Sequence, residues 1–326
     1  MNIILAGDFA QLPPISQYTL YSGSIGTKKL QGHQFTTVVI LRENMRQTTQ
    51  SPEDGKLHRA LQNMRYKACT TADISFLRTL VKLNQARFRN ISVIVGPNAH
   101  RDKYNMLGSD GYANDTNQPL HHFYSMDTLA RMKDARRASN ILSTELQHVV
   151  WNLPHEASQH CAGKLTICHG MPVLVKHNIA TPCCVTNGAE GTVVGWKCSK
   201  LTKDKKVLDV LFVKLKKPPV PINLDDLPMN VVPIGQTAQD VICHLPNDDT
   251  LTITRQQVQV LPNFSMTDYG CQGRTRPNNV VDLGGCLTHQ SYYTCLSRSA
   301  SASGTVILQN FEPNKIMGGA SGWLRQ

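Results

Sequence analysis

The 326-residue chain is short of acid: 23 Asp and Glu stand against 34 Lys and Arg, a formal net charge of +11. A surface of that sign attracts polyanions through long-range Coulomb forces and counterion release, which makes nucleic acid the first partner class to consider. Long apolar runs are missing too. No stretch approaches the roughly 18 residues a bilayer span needs, and residues 1–6 are too short and lack the basic flank of a secretory signal. The expectation is an intracellular, unsecreted protein with no membrane partner. The ten cysteines, from Cys69 to Cys295, lack the short spacing of a secreted disulfide framework, so reduced thiols are expected. Their densest group is His160, Cys161, Cys168 and His169, with Cys183 and Cys184 further on. It has neither a Cys-x-x-Cys pair nor a His-x(3–5)-His spacing, so no metal ligand is assigned and a zinc module is the weaker alternative.

What is present reads as an α/β chain with an interruption. Residues 2–6 form a near-continuous apolar run ending at Gly7-Asp8, the pattern of a strand buried on both faces of a parallel sheet. A methionine set directly on such a strand leaves its neighbours unaccounted for, and the expectation is an N-terminal truncation. Thr37–Leu41 reads as a second strand after the Gly-rich stretch 22–32. Leu57, Ala60, Leu61 and Met64 recur at helical spacing, as do Ile74, Leu77, Leu80 and Val81. A strand at 91–95 and a helix from Ala99 follow, then a basic helix over 131–137. From Gly170 to about Val260 the character changes to short strands separated by turn signals, rich in lysine, with prolines 218, 219, 221, 228 and 233 reading as loop. Beyond Leu261 the α/β alternation resumes, with strands at 280–283 and 305–308 and a helix at 289–297.

The octapeptide Gly7-Asp8-Phe9-Ala10-Gln11-Leu12-Pro13-Pro14 sits just past the carboxyl end of the first expected strand, where open α/β sheets bind ligands. With it, four further segments occur in order: Leu41-Arg42-Glu43-Asn44-Met45-Arg46-Gln47, Gly170-Met171-Pro172-Val173 through Asn187-Gly188 to Gly191-Thr192-Val193, Gln272-Gly273-Arg274-Thr275, and Cys295-Leu296-Ser297-Arg298. This series resembles the superfamily 1 DNA helicases of the Pif-one and RecD type, including the helicase portion of Helitron transposons.

The resemblance implies a RecA-like P-loop NTPase helicase fold, with ATP and Mg²⁺ in a cleft between two such domains, and single-stranded or forked DNA as partner. It implies that residues 1–34 end the first RecA-like domain, 35–165 begin the second, 166–260 form an inserted small β-barrel, and 261–326 complete the second. It also implies ATP-driven 5′-to-3′ unwinding and a nuclear location. Gln11, Arg46 and Arg298 match catalytic positions: a Gln amide can sense a terminal phosphate, and a guanidinium neutralises charge spread over phosphoryl oxygens. Gly7, Asp8, Gln11, Gln272 and Gly273 match nucleotide-facing positions, and Tyr269, Cys271 and Thr275 DNA-facing ones. Here the pattern is broken, since Tyr269-Gly270-Cys271 stands where the family has His-Lys-Ser and two phosphate donors are lost. Tyr269 is compatible with base stacking or with core packing.

ATP hydrolysis in this class needs a Gly-rich loop ending in Lys-Ser/Thr and a carboxylate pair for the metal. Gly55-Lys56 and Gly163-Lys164 are both followed by leucine, and neither pair has the upstream glycine spacing. The expectation is that the chain does not hydrolyse ATP alone, and that a separate polypeptide supplies the missing motifs. The competing reading is a non-enzymatic nucleic-acid-binding remnant of a mobile-element helicase.

Overall fold

The computed structural model describes residues 4, 6–8, 10–14, 37, 39–41, 44–47, 51–81, 88–130 and 141–319. They fall into two compact units, one made of residues 1–101 and 265–326 and the other of residues 102–264. In chain order the regular elements are α1 (Pro52–Arg65), α2 (Thr71–Thr79), β1 (Val93–Val95), α3 (Asn98–Thr116), β2 (His121–Tyr124), β3 (Met126–Leu129) and α4 (Thr144–Asn152). Then come β4 (Lys164–Ile167), β5 (Pro172–Val175), β6 (Glu190–Lys200), β7 (Lys206–Leu215), β8 (Val231–His244), β9 (Thr250–Val258) and β10 (Val260–Pro262). The last are β11 (Ser265–Thr267), β12 (Asn279–Val281), α5 (His289–Leu296) and β13 (Thr305–Ile307).

The first unit is built on a four-stranded sheet in the order β11-β1-β12-β13, every pairing parallel. Its strands are short and largely buried; β1, Val-Ile-Val, β12, Asn-Val-Val, and β13, Thr-Val-Ile, are buried throughout. The helix α1 starts at Ser51, whose hydroxyl accepts from Asp54 N, with Pro52 in the first turn where its missing N–H costs nothing. Its stripe Leu57, Ala60, Leu61 and Met64 is buried. A capping box between Thr70 and Asp73 opens α2, and Ile74 and Leu77 join the same core, which also takes in Ile94, Val281, Tyr292, Leu296 and Ile307.

The expected N-terminal strands are not seen among the described residues. Ile4 is 90% exposed, and Val39, Ile40 and Leu41 are exposed as well. An apolar run becomes a buried strand only when neighbours cover it, and none of the four strands of the parallel sheet pairs with these residues. Residues 2, 3, 5 and 38, the Gly-rich stretch 22–32 and the expected basic helix at 131–137 lie outside the described residues.

The second unit is built on a mainly antiparallel sheet of nine strands, with the path β10-β5-β6-β7-β8-β9-β3 and with β2 paired antiparallel to β4 and parallel to β7. Val173, Val193, Leu211, Val213 and Ile234 fill one side of its core. Gly191, where β6 pairs with β7, admits no side chain: a Cβ there would clash with Val213 Cγ1 and sit 2.7 Å from Lys214 O. Pro233, expected in a loop, lies within β8 opposite Phe212. Leu215 N donates to Asn230 O, so by alternation Phe212–Pro233 is a non-hydrogen-bonded pair. The proline nitrogen therefore faces away from β7, on a stretch that β9 does not reach.

A buried ion pair joins β3 to β9. Arg255, fully buried, donates from Nε to Asp127 Oδ1 at 2.9 Å and from Nη2 to Oδ2 at 3.0 Å, and its remaining reach goes to Cys161 O and Val150 O. Asp127 also accepts from Ser125 and Gln147. Among the described residues no helix is long and apolar enough to cross a membrane. Because removing one partner strands the other charge, Asp127→Ala should cost about 3–5 kcal/mol in urea unfolding. Asp127→Leu combined with Arg255→Met should recover most of that. A loss of about 1 kcal/mol or less from the single change, as for a surface pair, would contradict this assignment.

Candidate nucleotide and nucleic-acid site

The carboxyl-terminal turn of α5 gathers three segments that are far apart in sequence, all within the unit of residues 1–101 and 265–326. A helix end leaves carbonyls without intrahelical partners and carries partial negative charge, so it receives cations. Arg46 donates from Nη1 to Ser297 O at 2.9 Å and from Nε to Thr275 Oγ1 at 2.9 Å. Arg298 donates from Nε to Thr294 O at 3.0 Å and from Nη2 to Ser297 Oγ at 2.8 Å. Gln47 is buried and clamps the same corner, its amide donating to Ser299 O at 2.9 Å while Asn44 donates to its Oε1. Backbone bonds from Arg276 N to Arg298 O and from Ala300 N to Arg276 O tie the loop of Thr275 to the segment after α5.

Arg298 is 1% exposed, and its Nη1 is buried with no hydrogen-bond partner among the described residues. Burial, and then the charge of Arg46, hold its pKa below the usual guanidinium value. The other groups that act on it are the weak acids Cys271, Tyr293 and Cys295, and neither arginine has a carboxylate partner among the described residues. Two adjacent guanidiniums with no carboxylate beside them among the described residues concentrate positive charge at this corner, and Arg298 Nη1 is a buried donor without an acceptor there.

The octapeptide folds on itself. Asp8 accepts from Ala10 N at 3.0 Å and from the Gln11 side-chain amide at 3.2 Å, and pairs with Arg65 at 2.8 Å. Gln11 is thus held by Asp8, and Gly7 is exposed in open space. Tyr293 on α5 hydrogen-bonds Arg65, and its phenol is raised by burial and then by Asp8. The octapeptide and α5 therefore share one electrostatic neighbourhood.

The loop after β11 is organised by Asp268. This buried residue donates its N–H to Val95 O, and its carboxylate accepts from Ser291 Oγ at 2.5 Å and from Tyr269 N at 2.8 Å. Burial raises its pKa. Tyr269 is 40% exposed and donates its hydroxyl to Pro13 O at 3.0 Å, so it links the loop to the octapeptide and is not core. Gln272 is half-buried, Gly273 takes φ +77° on the exposed tip, and Thr275 is exposed beneath Arg46. Cys271, expected to face DNA, is fully buried with its thiol on Asp268 O at 3.0 Å, and burial pushes its pKa up to about 12. A small apolar thiol in this place packs and presents nothing to a ligand.

Gln47, Asp268 and Arg65 are the members of this constellation that motif reading passed over. Gln47 adjoins Arg46 and was within reach of it. Asp268 follows a strand of three residues, and the ion pair of Arg65 has no local sequence signal. Among the described residues no group of three His, Cys, Asp or Glu side chains could hold a metal ion. The carboxylate of Asp8 is taken up by Arg65, Ala10 and Gln11.

The burial of Cys271 is testable. In the native protein at pH 8, iodoacetamide should modify the exposed Cys198 and spare Cys271. Equal rates at the two positions would place Cys271 at the surface.

No protein-family model matches the sequence, and no curated protein matches it. Solved structures do. The Pif1 helicase from Candida albicans superposes with a TM-score of 0.64 at 19% identity, covering 98% of this chain and 66% of that one. A Bacteroides Pif1 helicase in complex with ADP-AlF3 and ssDNA gives 0.58 at 15% identity, with coverage of 96% and 63%. A Pif1 structure described for DNA unwinding at forked dsDNA by two coordinating helicases gives 0.53 at 16%, with coverage of 85% and 51%. The chain thus spans between half and two thirds of the length of these structures. Its fold is the mixed α/β, RecA-like fold seen in these Pif1 helicase structures.

Proposed function

We propose that these residues are the nucleotide-responsive, DNA-gripping part of an ATP-driven DNA helicase with 5′-to-3′ movement. The observation that carries the reading is the unpaired, buried Arg298 beside Arg46 on the end of α5. In this assignment both arginines face the γ-phosphate of ATP; such guanidiniums are worth about 10³–10⁵ in rate where they complete a site. Gln11 senses the terminal phosphate once released from Asp8, and Gly7, Asp8, Gln272 and Gly273 line the nucleotide side. Thr275, held by Arg46, and Tyr269, held by Pro13, face DNA, so nucleotide contact at Arg46 is transmitted to the DNA loop through one hydrogen bond. Residues 1–34 take the part of the end of a first RecA-like domain, 35–165 and 261–326 that of the second, and 166–260 that of a barrel-like insertion. The Pif1 structure with ADP-AlF3 and ssDNA and the one described for unwinding at forked dsDNA support ATP and single-stranded or forked DNA as ligands; a nuclear location is part of the same proposal.

A second reading is favoured by one specific observation. These 326 residues contain no Gly-Lys-Ser/Thr loop. An arginine stabilises a transition state only where the rest of the site holds the nucleotide. On their own, then, these residues bind DNA without turnover, and hydrolysis awaits a phosphate loop supplied from outside them, for instance by a separate chain. The test is a single-stranded-DNA-stimulated ATPase assay on the purified 326 residues beside a salt titration of DNA binding. Expected are no turnover and a log affinity falling by about 0.7 per neutralised phosphate per unit log salt. Turnover abolished by Arg298→Ala would contradict the second reading, and affinity indifferent to salt would contradict both.

A further inference from the structure

A column of rings rises through the antiparallel sheet of residues 102–264. Phe123 is buried at its base and meets Trp196 edge-on at 5.8 Å. Trp196, half-buried, carries His121 at 4.9 Å on one flank and His169 at 4.5 Å, inclined by 31°, on another. His169 is exposed, and its ring is oriented by a bond from Nδ1 to Val194 O at 3.0 Å. The column therefore ends in a pre-oriented aromatic face open to solvent.

Register puts positive charge beside it. Lys206 on β7 is opposite Phe123, and Lys164 on β4 is opposite Tyr124. Lys200 and Lys206 are directly opposite each other across β6 and β7, both exposed. Like charges at facing positions cost stability unless an anion lies across them. His121 and His122 are held below the usual imidazole range, first by burial and then by Lys206 and Lys164 respectively, which marks the strength of the local field.

We propose that His169 and Trp196, with Lys200 and Lys206 beside them, form a stacking platform for single-stranded nucleic acid. A base lies on the imidazole face and the flanking phosphates lie across the lysine pair. Flat rings with adjacent cations suit an unpaired strand, since the base faces of a duplex are already stacked, whereas an acidic peptide would use the lysines and ignore the ring. The platform rests on the reading of the chain as a DNA-binding protein, and adds a contact separate from the loop of Tyr269 and Thr275.

The test measures binding of a labelled oligo-deoxythymidylate to the full chain by fluorescence anisotropy across a salt series. His169→Ala should weaken binding by about fivefold to a hundredfold, the range of one base–ring stack, and His169→Phe should restore most of it. Lys206→Gln should lower the salt slope by about 0.7. Since His169 is exposed, these variants should keep the wild-type circular dichroism spectrum. If wild type binds but all three variants match it, or if polyglutamate competes as well as DNA with no effect of His169→Ala, the platform is overturned and the loop of Tyr269 and Thr275 stands. If wild type binds no oligonucleotide, the DNA-binding reading falls with it.

Discussion

The end of α5 is where the first unit's electrostatics are decided. Helix-terminal carbonyls need donors, and two guanidiniums supply them. Arg298 comes from the chain leaving the helix, and Arg46 from a segment some 250 positions earlier in sequence. The same bonds that satisfy the helix bring two positive charges together and leave Arg298 Nη1 without a partner. A structure built only for stability would place a carboxylate there, because an unpaired buried donor on a charged group costs more than its hydrogen bonds return. The contrast with Arg255 is instructive. That arginine is equally buried, yet Asp127 and two carbonyls engage it.

Around this corner the chain uses side chains as couplers. Gln47 and Arg46 fix the segment before α1 to the segment after α5, and Arg46 reaches Thr275 in the next loop. Tyr269 fixes that loop to Pro13, and Asp8 reaches α5 through Arg65 and Tyr293. Motion of an anion against the two arginines would be felt at Thr275 through the Arg46 hydrogen bond, without any rearrangement of the parallel sheet. In the proposed function these bonds would carry coupling between nucleotide and DNA.

Much of the fold could be read from the residues because short-range rules and packing agree. The stripes of α1 and α2, Val93–Val95, the hairpin of β6 and β7, and α5 with β12 and β13 follow from periodicity and caps. What could not be read depends on distant partners. Ile4 and Val39–Leu41 have the composition of buried strands, but composition cannot show whether a neighbour covers them. His121–Leu129 is rich in polar and histidine residues and becomes strand only because β4, β7 and β9 pair with it. Pro233 was hidden inside β8 because its tolerance depends on which side of the strand lacks a neighbour. In the site, Arg46, Arg298, Thr275 and Gln11 were visible as motif residues. The burial of Cys271, the bond from Tyr269 to Pro13 and the role of Asp268 were not, since each is a tertiary fact about a loop.

The paired arginines at the end of α5 have no carboxylate partner among the described residues, and in the proposed function they bind an anion. The most direct measurement is the thermal midpoint of the purified chain against inorganic tripolyphosphate, for wild type and for Arg298→Gln. A ligand that binds only the folded state raises the midpoint with concentration by mass action. That rise is expected in wild type and is lost in Arg298→Gln. An equal rise in both proteins, or none in wild type, would contradict it.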